Sequence, residues 1–267
     1  MILYVRGIFM FKKSLKLIFT EPLMVLPLFI CNFLGNARIP VKNQIGFGYG
    51  FDINSIIRAY SRQIMVALLL MVVLLFISPY LTAWTNLMVK DKVLSGKIDF
   101  NKNSKKAFKY YLRVLVVSLA LIAALIIYIF LSLYITGILY VASKGSAGVF
   151  IIGILLFVLI LAFMAILVTP VIPILVVEDE GFTGAFKRSF EFGFSNFFNI
   201  LGVFVFNIII GLLVSLLFNN VKIIQTLINS YMATLVTVYI INKYIEDYIG
   251  LESNTKEVQA QEDSIVE

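Results

Sequence analysis

The sequence predicts an all-α polytopic membrane protein with about six transmembrane helices. Three observations predict this class: the composition, the length of the apolar runs and the placement of the basic residues. The chain of 267 residues is 61% hydrophobic and only 14% charged, whereas a soluble domain has roughly 45–50% apolar and about 25% charged residues. Its mean hydropathy is +0.98. A lipid bilayer can solvate that much apolar surface, and a soluble core of this size cannot.

Apolar runs of transmembrane length recur along the chain. A helix needs about 20 mostly apolar residues to cross a hydrocarbon core roughly 30 Å thick. The runs that meet or approach this length cover residues 22–37, 64–87, 113–139, 148–175, 198–218 and 222–244. They lack the alternation of a barrel strand, so the backbone must satisfy its hydrogen bonds as helix.

The first run is the weakest span. It carries Pro22 and Pro27, so we expect it to be tilted or kinked, or to be entered from an interfacial helix at about 8–20. The apolar residues of the segment 1–11 precede the basic cluster at Lys12, Lys13 and Lys16. That order is the reverse of a secretory signal, so we expect the segment to be retained in the mature protein.

The basic residues predict the orientation. With the N-terminus in the cytoplasm, six of the 22 lysines and arginines fall outside and the remaining 16 fall inside. The six are Arg38, Lys42, Arg58, Arg62, Lys144 and Lys222. The positive-inside rule therefore predicts a multi-pass protein of the cell membrane with both termini cytoplasmic, which requires an even number of spans.

The domain organisation is simple. We expect one transmembrane domain over residues 1–249, followed by an acidic tail at 250–267. The tail has few apolar residues, and Lys256 is the one basic residue among its acidic side chains. Such a segment buries too little surface to offset its ordering entropy, so we predict a disordered cytoplasmic tail.

A short basic and aromatic pattern occurs three times. Phe-Lys pairs at Phe11-Lys12, Phe108-Lys109 and Phe186-Lys187 each precede a pair of apolar runs. The pattern predicts three hairpins, each preceded by a cytoplasmic amphipathic helix at the interface. The alternative is that basic and aromatic residues collect at any membrane boundary.

The third copy of the pattern is the most informative segment. Five phenylalanines recur at every fourth residue and so form a stripe along one face of a helix over 182–198. We predict that this helix lies in the headgroup plane, with the phenylalanines and the adjacent basic residues in contact with lipid. The candidate contacts are Phe182, Phe186, Lys187, Arg188, Phe190, Phe194 and Phe198. Glu178, Asp179 and Glu180 precede the helix, where we expect a cap and a solvated turn.

The segment from Thr169 to Phe198 also resembles a known family. The run from Thr169 to Gly181, continued by Ala185-Phe186-Lys187-Arg188-Ser189-Phe190 and Asn196-Phe197-Phe198, is similar to a pattern in a large group of prokaryotic six-helix membrane proteins. That group is similar to the membrane domain attached to some glycerophosphoryl diester phosphodiesterases, and many members have no known function. The resemblance implies a shared fold and no catalytic residue, because in the fused proteins the chemistry belongs to a separate soluble domain.

The residue inventory argues against an enzyme. Histidine is absent and Cys31 is the single cysteine, which excludes a Cys/His zinc site and histidine acid–base chemistry. The spans contain hardly any carboxylate. We therefore predict no cofactor and no catalytic residue. Nucleic-acid binding is also disfavoured, because membrane topology explains the net charge of +7.

Two non-catalytic functions are left open. The first is a module that organises membrane lipids, including anionic headgroups, or a membrane-protein partner or second copy; the lysine-rich loop at 90–113 supports it. The alternative is a transporter of a small solute or lipid, supported by an intramembrane polar face at Asn207, Gln225, Asn229 and Thr237. Ordinary hydrogen bonding between helices explains the same side chains.

Overall fold

The computed structural model describes residues 2–36, 53–218 and 221–249. The described residues are mostly helical and form no strand, which confirms the all-α class. The helices are α1 (Ile2–Thr20), α2 (Leu26–Gly35), α3 (Ile53–Ser95), α4 (Phe100–Ala142), α5 (Ala147–Val168), α6 (Val171–Glu178), α7 (Phe182–Ser195), α8 (Phe197–Leu217) and α9 (Lys222–Tyr244). A 3₁₀ turn at Pro22–Val25 precedes α2, and a π turn at Ile245–Ile249 follows α9. The predicted acidic tail lies outside the described residues, and so do residues 38–52 between the first two apolar runs.

Five segments of the described chain are long and apolar enough to cross a membrane. They are Met65–Ser95, Phe100–Ala142, Ala147–Glu178, Phe197–Leu217 and Lys222–Ile249. A sixth span results if the bent pair Phe9–Thr20 and Pro22–Gly35 is counted as one. The two parts of this pair meet at 92°, because Pro22 lacks the N–H that a continuing helix would need. The multi-pass architecture is therefore confirmed, and the first apolar run is bent as its prolines predict.

The α3 and α4 helices form the longest hairpin. Each has 43 residues, about twice the length that a span requires. Gly96 adopts φ +70 directly after α3, and Asp99 caps α4 by accepting a hydrogen bond from the backbone N–H of Lys102 at 2.9 Å. The second predicted interfacial helix is therefore the first part of α4, continuous with its apolar part, and not a separate element.

Pro170 and Asp179 lie at the two ends of the short helix α6. The helix α5 ends at Val168 and α6 begins at Val171, with Pro170 between them. Asp179 follows α6 with a left-handed φ of 55°, which reverses the chain into α7. The predicted interfacial helix over 182–198 ends at Ser195, where the Asn196 side chain donates to the Phe192 carbonyl at 3.3 Å. Phe198 therefore belongs to α8.

The core surrounds α9, which packs against α1, α2, α3, α6 and α8. Its second half is buried almost without interruption and includes Tyr239 and Tyr244 at 1% and 0% exposure. In contrast, the distal half of α4 and most of α5 expose their apolar side chains, among them Phe130 and Leu159. Lipid is the natural solvent for those surfaces in a membrane protein.

Candidate functional site

The acidic turn after α6 gathers cations from two neighbouring helices. Asp179 accepts from Lys109 Nζ at 2.6 Å and from Arg113 Nη1 at 2.8 Å, and both donors lie on α4. Arg188 of α7 pairs with Glu178 at 2.5 Å and with Glu180 at 2.9 Å. These six residues define the charged end of the bundle. The segment 178–180, for which we expected a cap and a solvated turn, is therefore an ion-pair centre.

Two further helices form hydrogen bonds at the end of α6. One bond comes from a tyrosine hydroxyl, and the other is accepted by a backbone carbonyl. The Tyr244 hydroxyl of α9 donates to Glu178 Oε1 at 2.6 Å. Lys90 of α3 donates to the Val176 carbonyl at 3.1 Å. That carbonyl lies in the last turn of α6, where cations are favoured by the exposed carbonyl dipoles. The charged end therefore ties α3, α4, α6, α7 and α9 together.

Electrostatics favour the ionised form of Asp179. The hydrogen bond from Lys109 and the charges of Lys109 and Arg113 hold the pKa of the Asp179 carboxyl below its usual value, against a smaller opposing effect of burial. The turn is partly exposed, so these pairs are of the kind that contributes modestly to stability.

Other lysines at the same end have no such partner. None of them forms an ion pair with a residue that the structure describes, and all have exposed side chains. They lie on α1, in the α3–α4 turn, on the first turns of α4 and on α7: Lys12, Lys13, Lys16, Lys97, Lys102, Lys105, Lys106 and Lys187. Lys92 is paired to Glu21 at 2.5 Å and Lys243 is paired to Asp247 at 2.8 Å. Asp91, Asp99 and Glu191 form no ion pair among the described residues, but they are fewer than the eight lysines. The surface at this end thus carries excess positive charge.

The predicted phenylalanine stripe forms a ladder on α7. Ring centroids of Phe182, Phe186 and Phe190 follow at 5.6 and 4.8 Å, and Phe194 follows at 6.4 Å. Phe182 and Phe194 are 41% and 57% exposed. The face of α7 that packs inward consists instead of Ala185, Ser189, Phe192 and Gly193. Phe182 and Phe194 of the ladder are therefore open to lipid, while Phe192 and three small residues pack the helix against the protein.

The two predicted basic contacts on α7 differ in their surroundings. Lys187 is exposed, whereas Arg188 is held by Glu178 and Glu180. Sequence reasoning recognised both the acidic trio and the basic pair but not their pairing. It also missed the ion pairs of Lys109 and Arg113 with Asp179, because these contacts depend on the left-handed turn at Asp179.

The polar side chains of α9 divide into two sets. Thr226, Ser230 and Thr234 are buried. Asn32 donates to Ser230 at 2.9 Å and Asn36 donates to Thr226 at 3.1 Å, so this set binds α2. The second set is the intramembrane polar face that the sequence predicted, and it is less buried. Gln225 and Thr237 are half-buried, and Asn229 is exposed. Asn207 donates to the Met232 carbonyl at a long 3.5 Å.

Within residues 2–36, 53–218 and 221–249, no group of three or more acidic or cysteine side chains is placed to hold a metal ion.

The fold and the charged end together define a class: a polytopic all-α membrane protein whose exposed lysines and phenylalanines cluster at one end of the bundle. The family model described as "Domain of unknown function (DUF7847)" matches residues 10–245. The chain therefore belongs to this family. Comparison with curated proteins and with solved structures found no match.

Proposed function

We propose that this protein is a non-catalytic membrane module that concentrates anionic lipid at its charged end. The observation that carries the proposal is the contrast between the two sets of cations at that end. Lys109, Arg113 and Arg188 are neutralised by the acidic turn, whereas the exposed lysines of α1 and α4 have no ion-pair partner among the described residues. Each lysine near an anionic surface contributes about 1 kcal/mol of attraction.

The phenylalanine ladder supports the same function. Its exposed rings lie on α7, which begins three residues after Asp179 at the charged end. A helix with exposed aromatic rings beside basic side chains is suited to the boundary between headgroups and acyl chains. Lipid phosphates would then meet the lysines while acyl chains meet the rings.

We further infer that the charged end faces the cytoplasm, as the positive-inside rule requires. Residues 169–198 resemble a group of six-helix membrane proteins, and that group is similar to the membrane domain of some glycerophosphoryl diester phosphodiesterases. This resemblance supports a module that acts beside other proteins. We do not propose transport, because the buried polar side chains Thr226 and Ser230 are hydrogen-bonded to α2.

Lipid selectivity tests the proposal. The purified chain is reconstituted in bilayers containing spin-labelled phosphatidylglycerol or phosphatidylcholine, and the motionally restricted fraction of each lipid is measured. We expect a preference for phosphatidylglycerol that weakens as salt shortens the Debye length from about 10 Å at 0.1 M to about 3 Å at 1 M. The triple variant Lys102→Gln, Lys105→Gln, Lys106→Gln should lose much of the preference.

The control variant neutralises lysines at the opposite end. Lys144→Gln with Lys222→Gln should leave the preference unchanged. If the lysines of α4 serve membrane topology alone, the triple variant will match the wild type, and the proposal is then wrong.

A further inference from the structure

An open groove lies between α1 and the first turns of α8. Its volume is about 270 Å³. The lining residues are Gly7, Phe11, Phe198, Asn199, Gly202, Val203, Phe206 and Tyr239. Most of this wall is aromatic or aliphatic, and Phe11 meets Phe206 edge to face with centroids 5.1 Å apart. The groove is thus an apolar slot beside a membrane span.

Two polar side chains interrupt the apolar wall. Asn199 is half-buried, and its amide has no hydrogen-bond partner among the described residues. Tyr239 is 1% exposed, and its hydroxyl likewise has no partner within the described chain. Because neither group has a partner, both can donate a hydrogen bond to an occupant of the groove that carries an acceptor.

Gly7 permits the position of Asn199. A Cβ at residue 7 would lie 2.5 Å from Asn199 Oδ1, closer than real Cβ contacts allow. Only glycine lets the amide rest against α1 in this way. The glycine at position 7 therefore allows Asn199 to line the groove next to α1.

The depth of Asn199 indicates the chemistry of the occupant. It is the third residue of the candidate span Phe197–Leu217, so it lies near one boundary of the hydrocarbon layer. Phe198 beside it is 83% exposed, as expected for an aromatic residue at the membrane interface. The ester carbonyls of phospholipids occupy this boundary, with their acyl chains extending toward the membrane centre.

Water alone does not suit the groove. A bound water needs two to four polar partners. Among the described residues that line this space, which is large enough for several waters, two have polar side chains. An acyl chain satisfies the apolar wall, and its ester accepts from the amide. We propose that the groove binds one acyl chain of a diacyl phospholipid, with the Asn199 amide donating a hydrogen bond to the ester carbonyl.

This site is separate from the lysine set. Asn199 and Tyr239 address an ester and not a headgroup charge, so the groove should accept phosphatidylcholine as well as phosphatidylglycerol. If lipid does not bind in the groove, the proposed headgroup selectivity is unaffected. If the headgroup selectivity is not found, the groove can still bind an acyl chain.

Photocrosslinking tests the groove directly. The full chain is placed in phosphatidylcholine nanodiscs with a trace of phosphatidylcholine that carries a diazirine on one acyl chain. After illumination, labelled peptides are identified by mass spectrometry. We expect labelling within residues 198–206 above that of the exposed surface of α5, and Asn199→Leu should reduce it about threefold, the effect of one hydrogen bond.

Two glycines of α8 provide a matched pair of variants. A Cβ at Gly202 or at Gly211 meets no atom within 4 Å, yet only Gly202 lines the groove. Gly202→Leu should therefore fill the slot and abolish the enhanced labelling, while Gly211→Leu should preserve it. Thermal unfolding in detergent confirms that both variants are folded.

Several outcomes would overturn the proposal. Equal labelling in Gly202→Leu and wild type, or equal loss in both glycine variants, would show that the lipid contact is non-specific. Crosslinks to a second copy of the chain at residues 198–206 would assign the groove to a protein interface. If Gly202→Leu fails to fold, Tyr239→Phe takes its place, and unchanged labelling in both Tyr239→Phe and Asn199→Leu would contradict the site.

Discussion

At the scale of single residues, the conformation of Asp179 explains how one carboxylate reaches two cations of α4. Its φ of 55° lies in the left-handed region, which aspartate and asparagine tolerate better than most residues. The resulting reversal brings the side chain to Lys109 and Arg113. The acidic trio itself could be found in the sequence, but this backbone conformation and hence the pairing could not.

Asp179→Asn should measure how much the charge of Asp179 contributes to the free energy of unfolding. Asparagine also tolerates the left-handed conformation, so the substitution removes the charge without adding backbone strain. We expect a loss of about 1 kcal/mol or less at neutral pH, because the pairs are partly exposed. Thermal unfolding in detergent measures the change, and Glu191→Gln, at an exposed residue of α7 that forms no ion pair among the described residues, is the control.

The contribution of Asp179 should depend on pH. The pKa of its carboxyl is lowered in the folded protein, and that of an unfolded aspartate is about 3.9. The stabilisation is therefore fully present above about pH 4 and is lost as the pH falls through the lowered folded pKa. Wild type and Asp179→Asn should converge in stability at acidic pH, and a constant difference would contradict this origin.

Hydrogen bonds between α2 and α9 provide another residue-scale test. Asn32 donates to the buried Ser230, whereas Asn229 is exposed and has no partner among the described residues. Asn32→Leu should therefore destabilise the protein by about 0.6 kcal/mol, the average for such bonds in membranes. Asn229→Leu should leave the stability unchanged. If unfolding measurements show a larger loss of stability for Asn229→Leu than for Asn32→Leu, the predicted polar face, and not the buried set, stabilises the bundle.

At the scale of elements, the length of the apolar runs predicted most helices but not how they begin and end. Apolar runs located α3, α4, α5, α8 and α9, since burial in lipid needs no partner and leaves a local signal. The repeat pattern suggested a separate helix before α4, yet nothing between Phe100 and Ala142 breaks the helix. The packed face of α7 was also missed, because small residues such as Gly193 leave no hydrophobic signal. A Cβ there would lie 3.1 Å from the Leu167 Cα.

The orientation of α7 can be measured residue by residue. Its phenylalanine ladder should face lipid, whereas Thr183, Lys187 and Glu191 are exposed on another side of the helix. Spin labels at 182, 186, 190 and 194 should be relaxed more strongly by oxygen, and labels at 183, 187 and 191 more strongly by a water-soluble nickel complex. The accessibility should oscillate with the helical period near the headgroups, and uniform water accessibility would contradict an interfacial helix.

Substitutions on α7 should follow the same division. Phe186→Asp places a charge in the apolar boundary and should impair membrane insertion or folding, since burying one phenylalanine contributes roughly 1.5–3 kcal/mol. Lys187→Gln should be mild, because Lys187 forms no ion pair with the described residues. The yield of folded monomer after extraction is the measurement. A severe Lys187→Gln phenotype would indicate that a lipid phosphate or partner carboxylate depends on this side chain.

At the scale of the whole molecule, composition and hydropathy predicted the class, whereas the contacts that join the helices needed the structure. The central position of α9 follows from packing over long sequence separations, such as the bond from Asn242 to Ser14 at 3.1 Å. No local pattern encodes such a contact. The groove at Asn199 was missed for the same reason, because α1 and α8 are far apart in sequence and meet only in the fold.

The orientation of the bundle is the last prediction. The charged end carries Lys102, Lys105, Lys106 and the ion-pair centre around Asp179, while the opposite end has Lys144 and Lys222. Moving the lysine-rich end across the bilayer is disfavoured, so it should stay in the cytoplasm. In a Cys31→Ser background, Ser146→Cys should react with a membrane-impermeant maleimide in intact cells. Asn101→Cys and Ser253→Cys should react only after the cells are opened, because the α3–α4 turn and the tail lie inside. Labelling of Asn101→Cys or Ser253→Cys in intact cells would invert the topology and place the exposed lysines outside the cell.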